Sequence, residues 1–563
     1  MKTLKYFAMG TVLLAATSCS DFLTPESKSS LDAEAMLVNE SAINDAYYSL
    51  RAVYANGEYR QWFQAGTDLY SDGRNPIPAA YNTYTLNPST EELNKSLYEY
   101  CFKGIRSAYA VVYYSGGIPE ANRQKRVDEA RVIAANYYYL LVNSYGGVPI
   151  IKEFINTPER EYARASAQEV YEYIINELLS VIENNALDAT NATAGGGRVS
   201  MEAAKGLLAK TYLAAAWDLN NNEYFSKAAQ YSDEVINASA AKGLPTEYAN
   251  LYKADGSGDD NAEFIWDVEY DLASANNKSA GGHSISSYYC NYIGGSEDNV
   301  KAMTSMYVPT LYALQCFKKG DKRYDATFMK ELPDVKNGSA YGYWTWYEKG
   351  ESLVGVPVVR YYPAWYETDA DIAAWRAIDP TNRANTYIIP MAENSKEAQI
   401  MSGNAKNYYE MIKDVFGGSA CKKFDDSQTA STAGDTDYRD IHIITLPDLY
   451  LVAAEAYLKA GNNTEALNRL NVVHKRACGA ELAAVSLDAI LEERACEFFG
   501  NDQRWIDLRR TKTLQARYTA YNYQETGTVK WLRPIPQYVI DINNAITQNP
   551  EYVIVSEEEN ATE

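Results

Sequence analysis

Histidine is almost missing. His283, His442 and His474 are the three in 563 residues, which leaves almost no room for a multi-histidine metal centre. Cysteine is scarce and scattered: Cys19, Cys101, Cys290, Cys316, Cys421, Cys478 and Cys496 form no CxxC pair, so neither a zinc knuckle nor a disulfide scaffold is indicated. The six beyond Cys19 read as small core residues. Positive charge is in deficit, with 52 Lys and Arg against 74 Asp and Glu and a net charge of −22, which argues against nucleic acid or an anionic membrane surface as partner. HExxH, GxSxG, P-loop and GxGxxG motifs are all absent, and Gly195-Gly196-Gly197 lacks the Lys and Ser/Thr that phosphate binding requires. The Asp-rich loops at 255–260 and 425–440 lack EF-hand spacing. No cofactor, metal or enzymatic activity is expected, although counting among so many acids does not decide whether two could act as a glycosidase pair.

Long apolar runs are also missing, with one informative partial case. Lys2 and Lys5 precede the apolar stretch from Tyr6 to Ala16, which is too short to span a bilayer and reads as a secretory signal. Ala16-Thr17-Ser18 before Cys19 resembles a bacterial lipobox. Cleavage would leave Cys19 at the mature N-terminus with acyl chains, and several chains anchor where one does not. The expected division is a signal peptide at 1–18 and a polar tether at 19–30. A helical scaffold follows at 31–240 and 441–563, and a loop-rich, ligand-binding insertion at 241–440.

The scaffold is read from periodicity. Residues 125–145 carry Val127, Ala130, Ala134, Tyr137, Tyr138 and Leu141 at steps of three and four, and stop at Gly146-Gly147-Val148-Pro149. Helix pairs are predicted at 200–238, with Ser200 as N-cap, and at 447–477. A weaker pair joins 93–112 to 125–145, and further helices are expected at 487–499, capped by Ser486, and 503–513. Small residues at the crossings (Ala209, Ala453, Ala456) follow the plan of stacked tetratricopeptide helix pairs. The fold class is therefore mostly α, a tetratricopeptide-like scaffold with short strands in the irregular middle. There, Gly, Asn, Ser and Asp clusters alternate with aromatic runs.

What the chain has in excess is tyrosine, 49 copies, and 13% of all residues are aromatic. Sugars present C–H faces and hydroxyl rims, so a site for them needs flat rings beside Asp, Asn or Arg. Candidates cluster at 59–87 (Asp68, Arg74, Tyr81 and Tyr84), at 286–307 (Tyr288, Tyr289 and Tyr292) and at 341–366 (Trp344 and Trp346). Against each stands the plainer reading that Tyr and Trp bury most of their surface in cores. Trp266, in the strand-like EFIWDVEY, and Tyr137 to Tyr139 read as packing. Arg504, Arg509 and Arg510 read as partners for Glu492, Glu493, Glu497 and Asp507, with one of Glu492 and Glu493 solvated and the other paired.

The C-terminal third carries a recognisable series. Glu492, Glu493, Arg494, Glu497, Phe498, Arg504, Asp507, Leu508 and Arg510 are followed by Pro534, Ile535, Pro536, Ile540, Asp541, Asn543, Gln548, Asn549, Pro550 and Tyr552. These resemble the signatures of the SusD/RagB family, surface lipoproteins of Bacteroidota that capture nutrients. YGGVP after the 125–145 helix, the 200–238 pair and CSDFLTP at 19–25 extend the resemblance over nearly the whole mature chain outside 241–440. Gly500-Asn501-Asp502-Gln503 departs from the family's acidic-glycine turn. The resemblance implies a lid over a SusC-like TonB-dependent outer-membrane transporter, an oligosaccharide ligand, and surface exposure on the outer membrane through a lipid on Cys19. An oligopeptide receptor of the same architecture, a surface glycoside hydrolase and a ligand-free repeat scaffold are the alternatives.

Overall fold

The computed structural model describes residues 41–72, 79–89, 92–155, 161–270, 282–289, 306–333, 358–389, 419–426, 437–501, 503–522 and 528–552. Its frame is helical. Helices α1 (Ser41–Tyr54), α2 (Gly57–Gln64), α3 (Glu92–Tyr113), α4 (Glu120–Tyr145), α5 (Ala167–Asn184), α6 (Met201–Asp218) and α7 (Asn222–Ala238) precede the irregular middle. After α8 (Leu311–Cys316) come α9 (Leu446–Lys459), α10 (Asn463–Cys478), α11 (Leu487–Glu497), α12 (Arg504–Arg510) and α13 (Leu514–Tyr521). Consecutive layers stack in the order α1, α3, α4, α5, α6, α7, α9, α10.

Small residues set how closely these layers approach. A Cβ at Gly104 of α3 would lie 2.2 Å from the ring of Tyr137 on α4, so that crossing accepts only glycine. Ala209, Ala453 and Ala456 are fully buried where α6 and α9 meet their neighbours. The ends are fixed as the caps suggest. Ser200 accepts the Ala203 N–H at 3.2 Å and Ser486 accepts the Ala489 N–H at 3.0 Å, while α4 stops at Gly146 with φ +72°. The periodicity reading passed over α5. Its signal was the reciprocal capping box of Ser166 and Glu169, where each side chain bonds the other's backbone N–H.

The middle of the chain is woven into this frame. Strand β1 (Tyr70–Asp72) pairs antiparallel with β3 (Tyr307–Pro309), and β2 (Phe264–Val268) pairs antiparallel with β7 (Ile441–Thr445), which leads directly into α9. A third sheet orders β4 (Glu331–Pro333), β5 (Val358–Tyr361) and β6 (Tyr387–Ile388). Trp266 on β2 is fully buried, as are Tyr137 and Tyr138 on α4. Cys101, Cys316, Cys421 and Cys496 are free thiols in the interior. No helix among the described residues is long and apolar enough to cross a membrane.

Candidate functional site

The residues singled out around 68–84 and at 289 lie in the interior, in separate clusters. Asp68 has no exposed surface, and its carboxylate receives a fork from Arg504, Nε to Oδ1 at 2.7 Å and Nη2 to Oδ2 at 2.6 Å, with Arg517 Nη1 at 3.4 Å. Burial pulls the Arg504 guanidinium down, yet Asp68 more than offsets it and leaves Arg504 above its ordinary value. Tyr81 and Tyr84 lie with Trp62 and Trp505 around the buried Arg533, whose guanidinium sits 5.6 Å from both tyrosine rings and 4.6 Å from Trp505. Tyr84 also donates to Gly66 O at 2.5 Å.

Tyr289 joins a different interior hub. Gly500 O accepts from Arg60 at 2.9 Å, from Gln64 at 3.1 Å and from Tyr289 at 3.1 Å, while its N–H donates to Tyr70 Oη at 2.7 Å. Gly500 has φ +86°, and a Cβ there would meet Phe424 at 2.4 Å. The turn that departs from the family pattern thus anchors α2 and Tyr289 through one backbone carbonyl, and β1 through the N–H of the same residue. Asp68, Tyr81, Tyr84 and Tyr289 are therefore corrected from ligand contacts to framing residues: each is desolvated and already committed to protein partners. Tyr288 is half-buried. Arg74, Tyr292, Trp344 and Trp346 lie outside the described residues, as does Cys19.

The C-terminal signatures are structural for the same reason. Arg494 bridges Asp448 at 2.8 Å and Asp507 at 2.7 Å; Arg510 bridges Asp507 at 2.5 Å and Glu455 at 2.6 Å; Arg509 reaches Asp218 at 2.8 Å. The acids that hold Arg504, Arg509 and Arg510 are Asp68 from a turn, Asp218 and Glu455 from distant helices and Asp507 from the same helix, so of the four expected partners only Asp507 serves. Glu493 is spent instead on Arg323 at 2.7 Å and His474 at 2.8 Å. In the tail, Gln548 exchanges bonds with the Ile535 backbone at 2.8 and 2.7 Å, and Asn549 Nδ2 donates to Tyr145 O at 3.1 Å and Arg533 O at 2.8 Å. The motif is a latch that closes the tail on the end of α4.

That latch and charge lattice carry a family identity. A model described as the SusD family matches residues 246–552, and a second, described as starch-binding associating with outer membrane, matches residues 21–213. The chain belongs to the SusD family. The match runs through the middle segment, where no motif had been legible. A SusD-like protein of Bacteroides ovatus is 25% identical over 422 residues, covering 70% of this chain and 60% of that one, so the chain spans about 60% of the length of this relative.

Solved structures share the fold. A SusD homologue from Bacteroides thetaiotaomicron superposes with a TM-score of 0.67 at 19% identity, over 92% of this chain and 97% of that one. A laminarin-binding SusD-like protein gives 0.65 at 21% identity, over 91% and 98%. Surface glycan-binding protein A from Bacteroides thetaiotaomicron, in complex with laminarihexaose, gives 0.64 at 20% identity, over 91% and 98%.

On this SusD frame, the buried Asp68 cluster opens to solvent at one rim. Tyr312, in the first turn of α8, stacks on Tyr521 at the end of α13, with ring centroids 3.8 Å apart and planes 13° from parallel. Tyr521 is 41% exposed. Arg517, one turn earlier on α13, donates to Tyr312 Oη at 2.6 Å and to Asp488 Oδ1 at 2.7 Å, and that aspartate side chain is 78% exposed. Burial and the neighbouring Arg504 pull Arg517 down, while Tyr312 and Asp68 leave it above its ordinary value, so it is a fixed cation. The arrangement offers a flat aromatic face beside a guanidinium and a hydrated carboxylate. The aromatic count at 518–523, immediately after the Arg-rich signature, was the available signal for Tyr521; Tyr312 had none beyond its own residue type.

Proposed function

We propose that this SusD-family protein is a non-catalytic glycan-binding protein, held at the outer-membrane surface by a lipid on Cys19. In this reading it captures oligosaccharides and passes them to a SusC-like TonB-dependent transporter. The observation that carries the reading is the stacked Tyr312–Tyr521 pair beside Arg517 and Asp488. A ring exposed over part of its face gives the C–H face of a pyranose a place to stack, and the charged pair donates to and accepts from hydroxyls. The family descriptions and the laminarin-binding neighbours support the same ligand class. The half-buried Tyr288 remains a candidate contact, and Arg74, Tyr292, Trp344 and Trp346 remain candidates from sequence alone. Titration calorimetry of the full mature chain against laminarihexaose, maltoheptaose and a mixed oligopeptide pool tests it. Heat from a glycan and none from the peptides is expected, with no new reducing ends after incubation. Binding of peptides alone would replace the reading with the oligopeptide receptor, and release of reducing ends would make the protein a hydrolase.

A further inference from the structure

A cleft of about 520 Å³ shares no residue with the rim. Its volume falls in the range of small-ligand sites, about 300–1,000 Å³. One wall is a face of α1. Asn44, Tyr48 and Arg51, at steps of four and three, stand one above the other along it. Asn44 is exposed, and Tyr48 is 63% exposed, the most open aromatic among the exposed large hydrophobic residues. The opposite wall is the end of β2 with Glu269 and Tyr270, and the floor is the glycine loop that failed as a phosphate motif.

The cleft is held in shape. Arg51 donates to Glu269 O at 2.6 Å and lies 4.4 Å from the Tyr270 ring centroid, yet it has no carboxylate partner among the described residues. Gly196 and Gly197 have φ of +58° and +60°, and a Cβ at Gly197 would come within 2.9 Å of Asp267 O. The loop therefore presses bare backbone against the strand end and keeps side chains out of the space. Arg198 is already paired with Glu129 at 3.1 Å. Asp267 is likewise taken up, by His442 at 2.6 Å and Asn191 at 3.0 Å, so the remaining polar groups are a guanidinium edge, an amide and the Glu269 carboxylate, close to neutral together, beside an open tyrosine ring. That set suits a polyol better than an anion, because the one unpaired cation faces Glu269 and the chain carries −22.

We infer that this cleft is a second saccharide-binding site, taking a short neutral oligosaccharide stacked on Tyr48 and hydrogen-bonded by Asn44, Arg51 and Glu269. The inference rests on the glycan reading. Two exposed-surface variants of the full mature chain test it against the wild type: Asn44→Ala with Tyr48→Ala for the cleft, and Tyr521→Ala for the rim. Laminarihexaose and maltoheptaose serve as probes, with the thermal midpoint as the folding control. The expected result is two binding sites per chain in the wild type and one in the cleft variant, with cleft binding weakened about tenfold or more and the midpoint unmoved. A single site that the cleft variant leaves intact and Tyr521→Ala weakens would overturn the cleft and keep the rim. No heat from either glycan in the wild type would overturn both.

Discussion

Two neighbouring stretches of the C-terminal third use the same side chain to opposite ends. In α12, Arg504, Arg509 and Arg510 are buried and each closed off by a buried or half-buried acid from elsewhere in the chain: Asp68 from the turn before β1, Asp218 from α6 and Glu455 from α9. One helix later, Arg517 is also mostly buried, but of its three partners only Asp68 is closed off: Asp488 stands in solvent and Tyr312 lies under an exposed ring. What separates a structural arginine from a candidate ligand arginine here is whether its partners are themselves desolvated, not the residue or its motif. Buried pairs specify one packing and cost heavily to break, whereas a half-solvated pair retains donors and acceptors that a ligand can take over.

The largest effect that would break this contrast is at Asp68. Arg504→Met leaves that carboxylate buried and without its fork, and a loss of about 3–5 kcal/mol is expected in urea unfolding. Replacing both partners with apolar residues, Asp68→Leu with Arg504→Met, should recover much of it. A single variant that loses under about 1 kcal/mol would put Asp68 back among the solvent-facing groups. Gly500→Ala comes next: the left-handed backbone and the Phe424 ring leave no room for a methyl, so up to about 3 kcal/mol should be lost. A wild-type midpoint would mean the hub is looser than its four hydrogen bonds imply.

The lattice also makes a prediction in acid. Burial alone would raise Asp448, but Lys210 and Arg494 hold it at about 2, below the ordinary 3.8. The folded value is depressed, so its contribution is present above pH 3.8 and is lost as pH falls toward 2. It amounts to about 2 kcal/mol. Comparing unfolding free energies of the wild type and Asp448→Asn between pH 6 and 2 should show the gap close over that window; a constant gap would assign the loss to other groups. The smallest effect on stability is expected at the rim, where Tyr521→Ala should change unfolding by only about 0.5 kcal/mol.

How much of this was legible depended on where the information sits. Helices with a buried stripe and a capped end, such as 120–145 and 201–218, announce themselves locally, because periodicity and caps are properties of consecutive residues. The capping box at Ser166 and Glu169 is equally local, three residues apart. The site was harder for a physical reason. Whether Tyr84 or Tyr521 faces water depends on residues more than four hundred positions away, such as Tyr518 over Tyr84 and Thr67 beside Asn522. Composition shows that rings are abundant, and only packing shows which of them are spent. Four of the chosen site residues were spent, and the rim that stayed open lay beside a motif read for its charges.

Titration calorimetry of Tyr521→Ala with the glycan that binds the wild type is the most direct test. The account predicts that binding at the rim weakens about tenfold or more while the unfolding midpoint stays in place. Unchanged affinity at every site, with the fold intact, would contradict it.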